Sequence, residues 1–296
     1  MDPMPMPEES GPAKSRIMAP QRIGLIAGNG QFPLLFAQAA RRKGWQVYAV
    51  GYEGETEPIL AQHVEAMEWL YLGQIKRMLK FFRQHDITDG VMIGGITKTR
   101  MFTNVRPDIK AIALLAGMRH THDDAILRAF ADLLEKEGVR IHDSTFLLPE
   151  ILAPEGVWTA RKPSRSETED MRLGWRIAKR IGHLDIGQCV VVAGGSVLAV
   201  EAIEGTDAAI TRAGMLCKGQ AVVVKVCKPN QDTRFDIPAV GMGTIETMQK
   251  ANIKALAIEA GKAVVFDRDL MIQKANHYKM CIAAFTESTM PDTAEE

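Results

Sequence analysis

The chain has 296 residues, long enough for two domains that each bury a core. Its 36 basic and 36 acidic side chains cancel, which removes the long-range field that a nucleic-acid partner would exploit. No run reaches the ~18–20 apolar residues of a membrane-spanning helix, and Cys189, Cys217, Cys227 and Cys281 have no Cys-x-x-Cys spacing, so they read as free thiols of a reducing, cytoplasmic setting.

Residues 1–20 hold Pro, Met, Glu, Ser and Lys without an apolar h-region and read as a disordered tail. The folded part opens with Arg22 to Ala27 as a strand, a Gly28-Asn29-Gly30 turn, and a helix through Phe36, Ala39 and Ala40 that stops at Lys43-Gly44. Gln46 to Val50 is the next strand, Ile75 to Phe82 an amphipathic helix, and Gly90 to Ile96 a buried strand ending in Gly94 and Gly95. Residues 109–137 read as helix in two pieces around a polar break at His120–Asp124, and Val139–His142 as one more strand. This β-α-β order predicts an α/β N-terminal domain over 21–150, with a mostly parallel sheet and helices on both faces.

Prolines and glycines at Pro149–Pro163 interrupt periodicity and mark the boundary, expected to act as a hinge. A second α/β domain follows over 155–287, with an acidic tail at 288–296. Its expected elements are a helix from Glu167 to Ile181 with Met171, Trp175 and Ala178 on one stripe, and a hairpin from Gly187 to Glu204 around Gly194-Gly195. A helix from about Asp207, a strand at 221–227, a helix at 244–250, two β-like runs (255–258 and 263–266), a helix at 271–275 and a strand at 280–285 complete it. No internal repeat is present.

Three places carry residue types suited to chemistry. Gly28-Asn29-Gly30, between strand and helix, can offer backbone N–H groups to a phosphate, although Pro33 stands where the dinucleotide fingerprint has its third glycine; Glu53 stands where that fingerprint has its ribose acid. Glu204, Thr206 and Asp207 lie between a strand end and a helix start, where hard oxygen ligands suit Mg²⁺, but Thr206 or Asp207 serves equally as a helix cap. The third is Lys225, set in a valine strand and followed by Lys228, Gln231, Asp232, Arg234 and Asp236. In extended chain the last three share one face, and a buried lysine needs a partner, so this stretch predicts a charged site; a solvated edge strand with alternating salt bridges is the alternative. Extended chain also holds Asp232 and Asp236 roughly 13 Å apart, too far to chelate one ion unless the chain bends. His120-Thr121-His122-Asp123-Asp124 offers an H-x-H pair without an identifiable distant third ligand for zinc.

The motifs Gly-Leu-Ile-Ala-Gly-x-Gly-x-x-Pro (24–33), Asp-Asp-Ala-Ile-Leu (123–127), Leu-Asp-Ile-Gly-Gln (184–188), Glu-Ala-x-Glu-Gly-Thr-Asp (201–207) and Lys-Pro-x-Gln-Asp-x-Arg-x-Asp-x-Pro (228–238) together resemble the UDP-2,3-diacylglucosamine pyrophosphatase family of lipid A biosynthesis, of the alphaproteobacterial type. The resemblance spans about residues 22–285. It implies a small Rossmann-like N-terminal domain, a C-terminal catalytic domain, and Mg²⁺-dependent hydrolysis of UDP-2,3-diacylglucosamine to 2,3-diacylglucosamine 1-phosphate and UMP, with product held between the domains. The family's essential aspartate falls on Asp236. Departures are Asn29 for a middle glycine, Gly94 to Thr99 in place of Gly-Asn-Val-x-Arg-Pro, and His122 where a glycine commonly precedes the paired aspartates; all lie in the N-terminal half.

The expected roles follow. Asp236, Arg234, Lys225 and Lys228 carry the catalysis; Asp236, Glu204, Asp207 and Asp232 are the metal candidates; Gly28, Asn29, Gly30, Gly94, Gly95, Asp124, Gln188, Thr206 and Gln231 face the substrate. The expected partner is a lipid-linked UDP-sugar, not a nucleic acid; peripheral contact with the cytoplasmic face of the inner membrane and a homodimer are compatible with that. A nucleotide-dependent oxidoreductase and a nucleotide- or lipid-binding protein without turnover are the rival classes. Pro33 and the lack of a hydride-transfer constellation weigh against the first.

Overall fold

The computed structural model describes residues 21–97, 105–116, 123–217, 219–235 and 237–290, the side chains of Asp123 and Asp124 excepted. Asp236 and His120 to His122 lie outside these residues. The N-terminal unit is a five-stranded sheet in the order β3-β2-β1-β4-β5, formed by β1 (Arg22–Ala27), β2 (Gln46–Tyr52), β3 (Ala66–Leu70), β4 (Asp89–Ile93) and β5 (Arg140–His142). Every pairing in it is parallel. Strand β1 is central and buried on both faces, which is why its sequence is a continuous apolar run and not an alternation. Helix α1 (Phe32–Arg42) packs Phe36, Ala37 and Ala40 beneath Leu25, Ala49 and Val91. Helices α2 (Ile75–Gln84), α3 (Ile109–Ala116) and α4 (Asp123–Lys136) lie on the other face, where Met78, Phe82 and Leu134 meet Ile26, Val50 and Ile141. The sheet is therefore doubly wound, as expected.

The loops leaving β1 and β4 touch. Gly28 N–H donates to Ile93 O and Asn29 N–H to Gly95 O, both at 2.8 Å. A methyl on Gly28 would stand 2.3 Å from Gly95 O, and Gly94 has φ of +91° with its own crowding against Asn29 O. Two backbones cross where no side chain fits, so these glycines are first a packing requirement.

The C-terminal unit holds a six-stranded sheet in the order β6-β13-β11-β9-β7-β8 and a parallel pair of β10 and β12. The strands are β6 (Gly156–Val157), β7 (Cys189–Ala193), β8 (Ser196–Val200), β9 (Val222–Lys225), β10 (Ala239–Val240), β11 (Ala255–Glu259), β12 (Val264–Val265) and β13 (Cys281–Phe285). β9, β11 and β13 are parallel; β7 runs against β9 and β8 against β7 as the expected hairpin. Helix α5 (Arg165–His183) starts at a capping box, in which Ser164 and Glu167 satisfy each other's N–H groups. It covers one sheet face, burying Met171, Trp175 and Ala178 against Val190, Val192, Val222 and Val224. Helices α6 (Thr206–Leu216), α7 (Met242–Lys250) and α8 (Arg268–His277) cover the other, where Ile210, Met248 and Met271 meet Val191, Val223 and Leu256.

Three expectations change. Strand β3 was unread because Ala, Met and Glu favour helices and an edge strand is only half buried. The hinge does not extend to Pro163. Ala153 N–H donates to Ala263 O and Ala153 O accepts from Gly261 N–H, both at 2.8 Å, and β6 pairs with β13, so the chain is stitched into the C-terminal unit from Leu152 onward. The acidic tail starts later than 288, since Thr286–Met290 is a hydrogen-bonded turn that buries Met290 beside the α5 face. Gly28→Ala is expected to lower the unfolding free energy by about 2–3 kcal/mol. Gly30→Ala, with open space but φ of +85°, should cost about 1 kcal/mol. Urea unfolding of the two variants checks the order, and a smaller loss at Gly28 would contradict the crossing.

A candidate active site at the seam between the two units

Strands β8, β9 and β11 end, and antiparallel β7 begins, at one edge of the C-terminal sheet: Cys189 pairs with Lys225, and Lys225 with Ile258. The carboxyl edge is where open α/β sheets place ligands. Lys225, 8% exposed, closes β9 there and donates Nζ to Ala239 O at 2.9 Å. Next to it is the buried Glu201, which accepts from Thr206 Oγ1 at 2.8 Å and Gln188 N–H at 3.3 Å. The Gln188 side-chain oxygen is buried with no partner among the described residues. Cys189 lies within reach of Lys225, Glu201 and Asp207, but burial pushes its thiol up to about 12, so it is no thiolate nucleophile. Helix α6 is capped by Gly205 and not by Thr206 or Asp207, because the Thr206 hydroxyl turns to Glu201.

A second buried cluster braces the loop that follows β9. Glu259, 1% exposed, receives Lys179 Nζ on both oxygens (2.8 and 2.7 Å), Lys262 Nζ at 3.0 Å and the Cys227 N–H at 2.8 Å. Lys179 also donates to Cys227 O at 3.1 Å. Both polar groups of the Cys227 backbone are thus held by one ion pair. Gln231 folds back, its side-chain oxygen accepting from Lys228 N–H at 2.9 Å, and Lys228 Nζ reaches Asp185 at 2.6 Å.

The charged stretch is a turn and not extended chain. Phe235 N–H donates to Asp232 O, Arg234 N–H to Asp232 Oδ1, and the Arg234 guanidinium grips the Asp232 carboxylate at 2.8 and 2.9 Å. The fork pairing of planar guanidinium and carboxylate bends the backbone, so the single charged face predicted from extended geometry does not form. The turn points at the N-terminal unit. Arg234 bonds Glu135, Arg128 donates to Asn230 O at 2.6 Å, Thr233 contacts Asp143 and Ser144, and Phe235 packs into the α2–α4 core. Nearer the glycine turn, Phe32 meets Phe266 edge-on at 5.6 Å. Asn29 Nδ2 donates to Glu55 at 2.9 Å and Thr97 N–H reaches the same carboxylate at 3.1 Å, so Glu55, and not Glu53, is the buried acid beside this loop.

The two halves match the LpxI N-terminal domain over residues 22–151 and the LpxI C-terminal domain over residues 154–283. The chain belongs to the LpxI family. A curated relative, the UDP-2,3-diacylglucosamine pyrophosphatase LpxI of Caulobacter vibrioides, is 32% identical over 267 residues, covering 86% of this chain and 94% of that one. Among solved structures, the biotin carboxylase domain of Hydrogenobacter thermophilus 2-oxoglutarate carboxylase aligns at 14% identity over 60% of this chain and 36% of that one, TM-score 0.26. Staphylococcus aureus N5-carboxyaminoimidazole synthetase aligns at 14% over 58% and 38%, TM-score 0.24. Alignments that low bear on neither overall fold nor activity.

In this LpxI-family chain the sequence candidates fall into separate groups. Lys225, Gln188, Thr206 and Asp207 meet at the carboxyl edge, while Asp232 and Arg234 form the docking turn. Glu204 is drawn to Arg212 at 2.8 Å, on the outside of α6. At the loop crossing Asn29 bonds Gly95, Gly28 bonds Ile93 and Gly94 crowds against Asn29, leaving Gly30 as the turn residue without such a contact. Asp236 and the Asp124 side chain are outside the described residues. Glu201, Glu55, Glu259 and Lys179 were not selected from sequence; for Glu201 the signal was there, in its place at the head of the 201–207 motif.

The Arg234 hydrogen bond holds the Asp232 carboxyl below its ordinary range despite partial burial. A depressed folded-state pKa gives stability that is present above the unfolded value of about 3.9 and is lost as pH falls through the folded one. Asp232→Asn should therefore cost about 1.5 kcal/mol at neutral pH, and wild type and variant should converge in acid. Urea titrations at several pH values check this; a gap that persists below both pKa values would remove the ion pair as its cause.

Proposed function

We propose that this chain hydrolyses the pyrophosphate of UDP-2,3-diacylglucosamine, giving 2,3-diacylglucosamine 1-phosphate and UMP, at the carboxyl edge of the C-terminal sheet where it meets the N-terminal unit. The observation that carries the placement is the docked Asp232–Phe235 turn. It brings Arg234 and Phe235, the residues that precede the family's aspartate in sequence, against the N-terminal unit, while Lys225 holds Ala239 a few residues further on. A substrate with a nucleotide, a pyrophosphate and two acyl chains is larger than either unit would comfortably enclose, which favours a shared cleft.

Hydrolysis of a phosphoric anhydride joins a water oxygen to one phosphorus as the bridging P–O bond breaks, and a proton leaves the water. Asp236 is the proposed acceptor of that proton or an anchor for the metal. Lys225 and Lys228 would neutralise the charge on the phosphoryl oxygens, where electrostatic stabilisation dominates. Arg234, already committed to Asp232 and Glu135, acts by shaping the turn at 232–235 that precedes Asp236 in sequence. Gln188, with its buried side-chain oxygen, suits a donor group of the substrate.

Among the described residues no group of three His, Cys, Asp or Glu side chains converges on a metal position. The donor set still fits Mg²⁺, which takes one or two carboxylates and completes its shell with water and phosphate oxygens. Asp207 and Asp236 would hold it, since Glu204 and Asp232 are engaged by Arg212 and Arg234. When bound, the ion supplies charge neutralisation and a more acidic water.

Asp236→Ala should fold and bind substrate yet lose nearly all turnover; Lys225→Ala should lower kcat by about 10²–10³. Release of UMP from radiolabelled UDP-2,3-diacylglucosamine measures both, and a folded Asp236→Ala protein near wild-type rate would overturn the mechanism. In the same assay excess EDTA should abolish activity and Mg²⁺ restore it; full activity in EDTA, with no metal by elemental analysis, would remove the metal.

A further inference from the structure

Helix α2 sets Lys76, Arg77, Lys80 and Arg83 within eight residues, and Arg106, just before α3, joins them around an open groove of about 800 Å³. The nearby acids are already engaged. Glu68 holds Arg77 at 2.6 Å, Glu137 holds Arg83 and Lys110, and Asp108 accepts the backbone N–H groups of Lys76, Lys110 and Ala111. Lys76, Lys80 and Arg106 are left without an acidic partner among the described residues, the last lying 3.7 Å over the Tyr71 ring. A chain of zero net charge thus carries a local cationic face, on the N-terminal unit and lined by no residue of the candidate active site.

The neighbouring helix adds a second feature. On α3, Ala111 and Leu114 face the core, while Ile109, Ile112 and Leu115 are 77%, 55% and 45% exposed. An aliphatic ridge beside a row of unpaired cations is the pattern of a surface that sits at the headgroup–acyl boundary, cations on the phosphates and alkyl groups just below. A face for single-stranded nucleic acid would add exposed aromatic stacking platforms, whereas the exposed side chains of α3 here are aliphatic. We propose that the α2–α3 face docks this protein on the surface of an anionic lipid bilayer. The proposal does not rest on the hydrolysis reading, and its test does not read turnover, so the two fail separately.

The experiment is cosedimentation of the full chain with vesicles of phosphatidylglycerol and phosphatidylcholine, against vesicles of phosphatidylcholine alone. Wild type is expected on the anionic vesicles and much less on the neutral ones. Lys76→Gln with Lys80→Gln should weaken anionic binding by about 20–30-fold, each lysine near such a surface contributing about fivefold. Ile109→Ser with Ile112→Ser should cost about tenfold, and more of the residual binding should then vanish in high salt. Both variants change exposed side chains, and unaltered thermal unfolding confirms that each is folded. Equal binding to the two vesicle types, or lysine variants that bind as wild type, would overturn the proposal. So would capture of an RNA oligonucleotide by the same lysines with no vesicle binding.

Discussion

The two-pronged grip of Arg234 on Asp232 is the constraint on which the joined architecture turns. After the turn at Lys228–Gln231 it closes a second turn, at 232–235, whose far side meets the other unit. Once bent, the turn offers Asn230 O to Arg128, Arg234 to Glu135 and Phe235 to the helical face of the N-terminal sheet. Such a pair gains from fork geometry and partial shielding, unlike an exposed ion pair, whose worth is close to nothing. Its use here is positional: one carboxylate and one guanidinium fix the turn at 232–235 against the other unit.

Behind the turn stands a buried support. Glu259 and Lys179 saturate the backbone of Cys227, at the exact point where the valine strand ceases to be held by its neighbours. Burying charge is expensive, and such a pair gives less stability than its short distances suggest. What it provides is a fixed departure direction for the loop. The carboxyl edge is thereby divided between a half that positions, built on Glu259 and Lys179, and a half with groups still open to a ligand, around Lys225, Gln188 and Asp207.

Much of this was legible from residue order. Continuous apolar runs gave the buried strands, the Met171–Trp175–Ala178 spacing gave the face of α5, and Gly194-Gly195 gave the hairpin. Lys225 stood out because a lysine among valines needs a partner. That the partner would be the carbonyl of Ala239, fourteen residues on, was not legible, because every residue offers a carbonyl. The turn at 232–235 was misread for a related cause: alternating charge looks the same whether the chain is extended or folded back on its own aspartate. Pairing of Glu259 with Lys179, eighty residues earlier, depends on two strands and a helix being assembled first, and no local pattern announces it. Glu55 was passed over for Glu53 because spacing rules count residues and cannot see which side chain turns inward.

The stitching of residues 152–158 has a consequence for the order in which the molecule forms. Strand β6 can pair only with β13, and Trp158 N–H waits for Ile282 O, a partner made some hundred and twenty residues later. During synthesis the N-terminal sheet has all five of its strands by His142 and can close at once, whereas the C-terminal sheet stays open at that edge until nearly the whole chain has emerged. The exposed margin in that interval is β11, whose five residues are all buried in the finished fold. Nascent chains halted before Cys281 would then show a protected N-terminal unit joined to a C-terminal half that is collapsed, unsealed and inclined to associate.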